Sequence, residues 1–108
     1  MKNFFITAVF LFFSPMIYAD EDCSQLHDIT FKIMKMRQWN ISIVDQMNTI
    51  EEMRKVNPKN TAMHKLLQEI VISAYEEPRF NTEEYQEKAA KDFANNWTAS
   101  CYKHKGKK

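Results

Sequence analysis

Apolar residues recur at alternating steps of three and four along most of the chain after residue 20, which is the spacing of a buried face on an α-helix. Polar and turn-forming residues interrupt this pattern and divide it into four segments. The predicted helices cover about 22–38, 43–55, 58–76 and 82–103. No segment alternates apolar and polar residues with period two, and the single glycine lies in the C-terminal tail. The pattern therefore predicts an all-α protein, a small antiparallel bundle of four helices.

The starts of the second and third helices carry capping signals. Ser42 can accept a hydrogen bond from a free backbone N–H of the second helix, and Asp45 suits the positive end of that helix. The side chain of Asn57 can cap the third helix, with Pro58 at its first position, where the missing N–H of proline costs nothing. We expect the third helix to begin directly after Asn57.

The fourth helix has the most detailed start signal. Asn81 can cap it, and Glu84 lies three residues later, as in a capping box. Phe80 and Tyr85 occupy positions where two apolar side chains can pack across the helix start as a hydrophobic staple. These residues predict a start at about residue 82.

The periodicity also predicts which side chains are buried. The expected apolar faces comprise Cys23, Leu26, Ile29, Ile33 and Met36 on the first helix; Ile43, Met47 and Ile50, with Met53 as a further candidate, on the second; Met63, Leu66, Leu67, Ile70, Val71 and Ala74 on the third; and Tyr85, Ala89, Phe93, Trp97 and Cys101, with Ala90 and Ala94 beside them, on the fourth. The third of these stripes is the widest. We therefore expect the third helix to be the core helix.

Residues 1–19 have the parts of a cleavable export signal in the usual order. Lys2 is followed by an almost unbroken apolar run over 4–13, a helix break, and the small residue Ala19 at the expected cut. The apolar run is shorter than the roughly 20 residues of a membrane span, which disfavours an uncleaved anchor. We expect cleavage after Ala19, a single helical domain over 20–108, and a periplasmic or secreted location.

The mature chain has two cysteines, Cys23 and Cys101, one near each end. Short loops favour antiparallel neighbours, and an up-down-up-down order places the start of the first helix beside the end of the last. The two cysteines can then form a disulfide, as expected in an oxidising compartment. An irregular assembly with a short second helix is the alternative arrangement. A redox-active pair is disfavoured because that chemistry uses closely spaced cysteines.

The charges are balanced. Lys2 leaves with the signal, so the mature domain carries equal numbers of acidic and basic side chains. A neutral domain has no field to attract nucleic acid, so we expect no nucleic-acid partner. The one basic cluster is the tail over 103–108, which we interpret as a solvated terminus. Weak contact with an anionic surface is the alternative role for this tail.

The sequence contains no recognisable catalytic motif. Gly-rich phosphate loops, zinc motifs and nucleophile elbows are absent, and no histidine has an acid or nucleophile at a catalytic spacing. We interpret the acidic residues around Arg79 as a charge-balanced corner, since acid–base catalysis needs carboxylates in separated environments. We therefore predict that the protein is not an enzyme and has no catalytic residues and no cofactor.

Two side-chain patterns could bind a metal. His27 follows Cys23 by one helical turn, but a disulfide at Cys23 removes that pair. The five methionines of the mature chain could bind Cu(I), although most of them lie on apolar stripes where methionine fills gaps between helices. We predict no metal site, and keep periplasmic copper binding as the alternative function.

The stretch over 74–86 reads AYEEPRFNTEEYQ and is followed by Phe93, Asn95 and Cys101. It resembles the C-terminal half of small exported helical proteins of Gram-negative bacteria and their phages, which also have one cysteine soon after the signal and one near the end. The resemblance implies a periplasmic address and no mechanism. In size and cysteine number the chain is also similar, by class alone, to acid-activated periplasmic chaperones.

These observations favour a protein-binding or interaction module of the cell envelope, such as an inhibitor, an immunity factor or a chaperone-like protein. The candidate interaction residues are Trp39 and Tyr102, because no apolar stripe requires them and aromatic side chains are effective interface anchors. The alternative role for both is packing over the ends of the bundle. The partner is expected to be an envelope protein whose identity the sequence does not reveal.

Overall fold

A computed structural model describes residues 19–106, with side chains over 23–104. It contains four helices, α1 (Ala19–Gln38), α2 (Ile43–Val56), α3 (Thr61–Tyr75) and α4 (Glu83–Gly106), and no strand within 19–106. The all-α prediction and the helix count are confirmed. The predicted export signal and the last two residues of the basic tail lie outside the described residues, apart from Ala19 at the start of α1. None of the four helices is long and apolar enough to cross a membrane.

The start of α2 is as predicted, whereas α3 begins later. The Ser42 hydroxyl accepts a hydrogen bond from the Asp45 N–H at 3.0 Å. Asn57 does not cap α3: it ends α2, and its own N–H donates to the Met53 carbonyl at 3.0 Å. The chain reverses in a turn over 57–60, where the Asn60 N–H bonds to the Asn57 carbonyl at 3.3 Å. The fixed φ of proline suits such a turn as well as it suits the first turn of a helix. The predicted start of α3 is therefore three residues too early.

The start of α4 is shifted by one residue. Thr82, and not Asn81, is the cap: its hydroxyl accepts from the Tyr85 N–H at 3.2 Å and its carbonyl from the Gln86 N–H at 2.9 Å. The predicted staple is present, with the ring centroids of Phe80 and Tyr85 6.1 Å apart. The expectation that Tyr85 begins the apolar stripe of α4 is wrong, because its side chain packs on Phe80 at the helix start and is 55% exposed. Thr82 thus satisfies one of the free donors of the helix end.

α1 ends in a Schellman motif, which turns the chain toward α2. Asn40 has a positive φ of 68°, a conformation that asparagine adopts more readily than most residues. The Ile41 N–H donates to the Met36 carbonyl, and the Asn40 N–H donates to the Arg37 carbonyl, both at 3.0 Å. This hydrogen-bonded end leaves Trp39 on the outside of the turn.

The helices pack in two unequal pairs. α1 runs along most of α4, α2 packs on α3, and α3 contacts the side of α1, while α1 and α2 approach each other only marginally. The core is formed by Leu26, Ile33, Met34, Ile50, Leu67, Ile70, Val71, Ala74, Ala90 and Phe93. Helix α1 contacts both α4 and α3 and therefore joins the two pairs. The wide apolar stripe of α3 did not predict this central position of α1. Because α3 and α4 both cover α1, its Thr30, Met34 and Gln38 are also buried.

A disulfide joins the first and last helices, as predicted. Cys23 and Cys101 are bonded, with their Cα atoms 5.7 Å apart and 78 residues apart in sequence. Cys23 is fully buried against α4. On the chain-entropy model, a loop of this length contributes about 4 to 5 kcal/mol to stability.

The other end of the α1–α4 pair is held by a buried amide. The Gln38 side chain is fully buried; its Oε1 accepts from the Phe80 N–H at 2.8 Å and its Nε2 donates to the Pro78 carbonyl at 2.9 Å. Arg79 Nε donates to the Gln38 carbonyl at 3.1 Å, and Arg37 donates to the Glu77 carbonyl at 2.9 Å. The loop between α3 and α4 is thus fixed on the C-terminal end of α1.

Polar groups also connect α2 and α3 to α1. Gln46 is buried, and its Nε2 donates to the Ile33 carbonyl of α1 at 3.2 Å and to the Tyr75 hydroxyl of α3 at 2.9 Å. The Tyr75 hydroxyl in turn donates to the Ile41 carbonyl. Two side chains of the stretch over 74–86, those of Tyr75 and Arg79, thus bond to other parts of the chain. The side-chain ion pairs of the described residues do not include Arg79, so the interpretation of this segment as a charge-balanced corner stays a prediction.

Reduction of the disulfide is expected to lower the melting temperature by more than about 10 °C, because about 4 kcal/mol of loop-closure stabilisation is lost from a small domain. The measurement is thermal unfolding followed by circular dichroism, with and without dithiothreitol. A variant with Cys23→Ser and Cys101→Ser is the control, and dithiothreitol should leave its melting curve unchanged. Equal melting of the oxidised and reduced wild type would contradict the prediction.

Substitution Gln38→Ala is expected to lower the free energy of unfolding by about 2 to 4 kcal/mol, since it removes two hydrogen bonds and leaves the Phe80 N–H and the Pro78 carbonyl without partners. Gln25→Ala is the matched control, because Gln25 is exposed on the same helix. That substitution should change stability by less than about 0.5 kcal/mol. Urea unfolding of both variants measures the difference, and similar values would show that the amide does not hold the corner.

Candidate interaction surface

The ionisable side chains form little that resembles a reaction centre. The described residues contain no group of three or more His, Cys, Asp or Glu side chains that could hold a metal ion. His27 Nε2 lies 3.2 Å from Asn95 Oδ1, and its predicted partner Cys23 is in the disulfide. The surface features that stand out in this part of the chain are apolar.

A depression of about 190 Å³ opens between α1, α2 and α3. It is lined by Ile29, Lys32, Ile33, Met36, Gln46, Thr49, Ile50, Met53, Leu67 and Val71. The buried Gln46 Nε2 already donates to the Ile33 carbonyl and the Tyr75 hydroxyl, so the amide has no free donor for a ligand. The depression is a preformed apolar cleft.

An aromatic depression adjoins the cleft along α1. Phe31, Lys32, Lys35, Met36 and Trp39 line a space of about 410 Å³. The Lys35 ammonium lies 5.6 Å from the ring centroid of Phe31 and 5.4 Å from that of Trp39, within range of a cation–π attraction. Its remaining partner is Glu87 on α4, whose Oε1 is 2.6 Å away. This hydrogen bond from Lys35 holds the pKa of the Glu87 carboxyl below its ordinary value.

The tip of the α2–α3 hairpin forms a third depression. Every residue over 52–63 is exposed, and the depression of about 470 Å³ is lined by Thr49, Glu52, Met53, Val56, Asn57, Asn60, Met63 and His64. Met53 and Met63 were expected on buried faces, and that expectation is wrong: they are 42% and 37% exposed. The reason is tertiary, because the hairpin packs on the other helices through its opposite end, where Gln46, Val71 and Ala74 are buried.

The three depressions are neighbours. Lys32 and Met36 line both the aromatic depression and the cleft, and Thr49 and Met53 line both the cleft and the hairpin tip. We call this row of neighbouring depressions, from Trp39 across α1 and α2 to Val56, the trough. Methionine side chains lie at its junctions, and methionine adapts its shape to different partners better than other apolar residues do.

The two predicted interaction residues lie in different places. Trp39 is 59% exposed and ends the trough. Tyr102 is 47% exposed and follows Cys101, at the other end of α1. Trp39 and Cys23 are separated by roughly 24 Å of helix, so the structure does not bring the two aromatic residues together.

Sequence reasoning did not identify Phe31, Met36 or Met53 as part of a surface. Phe31, Lys35 and Trp39 follow one another in steps of four, which is a signal for a row of side chains along one side of α1. In the structure Phe31 is partly buried against the core and Trp39 is exposed. Met36 and Met53 carry no such signal, because they continue the apolar stripes of their helices.

His64 is a second feature that the sequence did not reveal. Its side chain is 5% exposed, and its Nδ1 is buried without a hydrogen-bond partner. A buried polar atom without a partner costs about 1 to 3 kcal/mol. His64 is one of the residues that line the hairpin-tip depression.

No family model, curated protein or solved structure matches this chain in the comparisons.

Proposed function

We propose that the mature chain is a periplasmic interaction module that binds an amphipathic helix of an envelope protein in the trough and catalyses no reaction itself. The row of neighbouring apolar depressions from Trp39 to Val56 is the observation that carries the proposal. Apolar surface that a small protein leaves open to water in this way often marks an interaction site. A hydrophobic groove between helices can receive the apolar face of another helix.

The charges beside the trough define the partner further. Lys35 is neutralised by Glu87, whereas Lys32 is exposed where the aromatic depression meets the cleft. No carboxylate among the described residues forms an ion pair with Lys32. We infer that the bound helix places an acidic residue opposite Lys32 and its apolar residues in the cleft. Complementary charge at the rim of an interface sets orientation and specificity more than affinity.

The proposed location rests on two features. The disulfide between Cys23 and Cys101 favours an oxidising compartment, and the order of residues in 1–19 is typical of an export signal. We favour binding of one specific partner, as by an inhibitor or immunity factor, over binding of many client proteins, as by a chaperone. The cleft is preformed and held by Gln46 and Tyr75, so its shape selects what it binds.

Photo-crosslinking distinguishes the two exposed aromatic positions. The full-length chain is exported in its host with the photoreactive analogue p-benzoylphenylalanine in place of either Trp39 or Tyr102. We expect position 39 to crosslink to an amphipathic, acidic helical segment of one envelope protein and position 102 to crosslink to nothing reproducible. A synthetic peptide of that segment should then bind the wild-type protein in calorimetry.

Two arginine substitutions control this experiment. Thr49→Arg places a long cation in the middle of the trough and should weaken peptide binding at least about tenfold, because it blocks the cleft and costs desolvation. Ser100→Arg introduces the same side chain at an exposed position of α4 outside the trough and should leave binding unchanged. Equal binding by both variants, crosslinks from position 102 alone, or crosslinks to a second copy of this chain would overturn the proposal.

Acidification tests the chaperone-like alternative. Among the described residues, Lys35–Glu87 is the one ion pair that joins two helices. The pKa of Glu87 is lowered from 4.5 by the hydrogen bond from Lys35, so this stabilisation is complete above 4.5 and is lost as the pH falls through the lower value. We expect near-UV circular dichroism and the absence of apolar-dye binding to be unchanged down to about pH 5.

Two variants are the controls. Glu87→Gln removes the Lys35–Glu87 pair and should lose the change in near-UV circular dichroism that acid causes through this pair. Asp92→Asn removes the exposed Lys88–Asp92 pair within α4 and should behave as the wild type. Dye binding and a change in oligomeric state of the wild type above about pH 5 would instead support an acid-activated chaperone.

A further inference from the structure

The Lys35 ammonium connects α4 to the aromatic end of the trough. On one side it donates a hydrogen bond to Glu87 Oε1 at 2.6 Å. On the other side it lies 5.6 Å from the ring centroid of Phe31 and 5.4 Å from that of Trp39. The Lys35 side chain is 20% exposed, although a free ammonium group is strongly hydrated. Glu87, Lys35 and Trp39 therefore form a series of contacts that leads from α4 to the end of the trough.

The orientation of the Trp39 ring depends on this series. Trp39 follows the last residue of α1, and its side chain is largely exposed. The aromatic pairs among the described residues, Phe80–Tyr85 and Phe93–Trp97, do not include it. An exposed side chain samples several rotamers unless a contact selects one of them. The cation–π contact with the neighbouring ammonium is such a contact.

The Lys35 ammonium keeps its place because of Glu87. A lysine side chain loses much conformational freedom when its ammonium is held at one point, so the position needs a strong partner. The two aromatic faces attract the cation, but a carboxylate is the stronger acceptor for its N–H groups. Glu87 supplies this acceptor from α4. Without the carboxylate, bulk water offers the ammonium more hydrogen bonds than the rings do, and the side chain turns outward.

We propose that Glu87 is a positioning residue of the trough: through Lys35 it holds the indole ring of Trp39 in the orientation that receives the partner helix. Glu87 lines none of the three depressions, so its effect on a bound helix passes through Lys35. A ring that is held in place before binding loses less conformational freedom on binding, which favours affinity. The effect on affinity rests on the proposed function, whereas the position of the ring is measured on the protein alone.

The first experiment is fluorine NMR of the oxidised mature protein labelled with fluorotryptophan. The sequence has two tryptophans, Trp39 and Trp97, and Trp97→Phe assigns their resonances. Glu87→Ala should shift the Trp39 resonance and increase its isotope shift between light and heavy water, because the ring leaves the ammonium and becomes more exposed. The Trp97 resonance of the same variant should stay in place. A shift of both resonances would show that α4 itself has moved and would overturn the positioning role.

Asp92→Ala is the matched control. It removes the carboxylate of an exposed ion pair on the same helix, and Asp92 does not line the trough. This variant should leave the Trp39 resonance in place. A Trp39 resonance that is equally unmoved in Glu87→Ala would overturn the positioning role.

The second experiment measures binding of the synthetic partner segment identified by crosslinking at position 39. Glu87→Ala should weaken its binding about three- to tenfold, the range expected when one interface side chain is no longer held before binding. Asp92→Ala should bind the peptide as the wild type does. A shifted Trp39 resonance with unchanged affinity would overturn the effect on binding. Failure to find any crosslinked partner counts against the proposed function alone, since the fluorine resonance still decides whether Glu87 positions the ring.

Discussion

The contact between α1 and α4 is fixed at both ends by interactions of different chemical kinds. At one end a covalent bond joins Cys23 to Cys101, and at the other the buried amide of Gln38 bonds to backbone groups of the loop that leads into α4. The covalent bond acts mainly by restricting the unfolded chain, whereas the amide acts in the folded state by satisfying buried donors and acceptors. The two together determine where α4 lies along α1, and the positions of α2 and α3 follow from that pair.

The hairpin of α2 and α3 is attached to this pair along one side only. Apolar residues of α3 pack on α1, while α2 is connected to α1 largely by the Gln46 amide. A hydrogen-bonded amide fixes the distance between two elements without filling the space beside it, in contrast to interlocking apolar side chains. The trough accompanies this arrangement: side chains of α1 and α2 line the cleft beside the amide, and the hairpin tip is left uncovered.

Local signals allowed much of the fold to be predicted, and tertiary contacts account for the rest. The helix count, the Ser42 cap and the disulfide follow from spacing and from the placement of two cysteines. Gln38 was not predicted to be buried, because periodicity assigns polar residues to the solvent side unless their partners are known. Met63 was wrongly placed in the core, because a helix stripe does not show how far the neighbouring helices extend. Trp39 was a candidate interaction residue because no apolar stripe requires it, with packing over the end of the bundle as the alternative, and its side chain is 59% exposed.

The exposed apolar side chains and the disulfide are linked energetically. A side chain such as Val56 or Met53 that stays in water forgoes about 1.5 to 3 kcal/mol of the stabilisation that full burial would supply. A small domain has little such stabilisation to spare, and the roughly 4 to 5 kcal/mol from a long-range disulfide is of the size needed to offset several exposed residues. The bond contributes this without covering any surface, so the trough remains open for binding. The same sequence in a reducing compartment would lose the bond, keep the exposed surface and approach the threshold for unfolding, and for this reason the proposed function and the proposed oxidising location depend on one another.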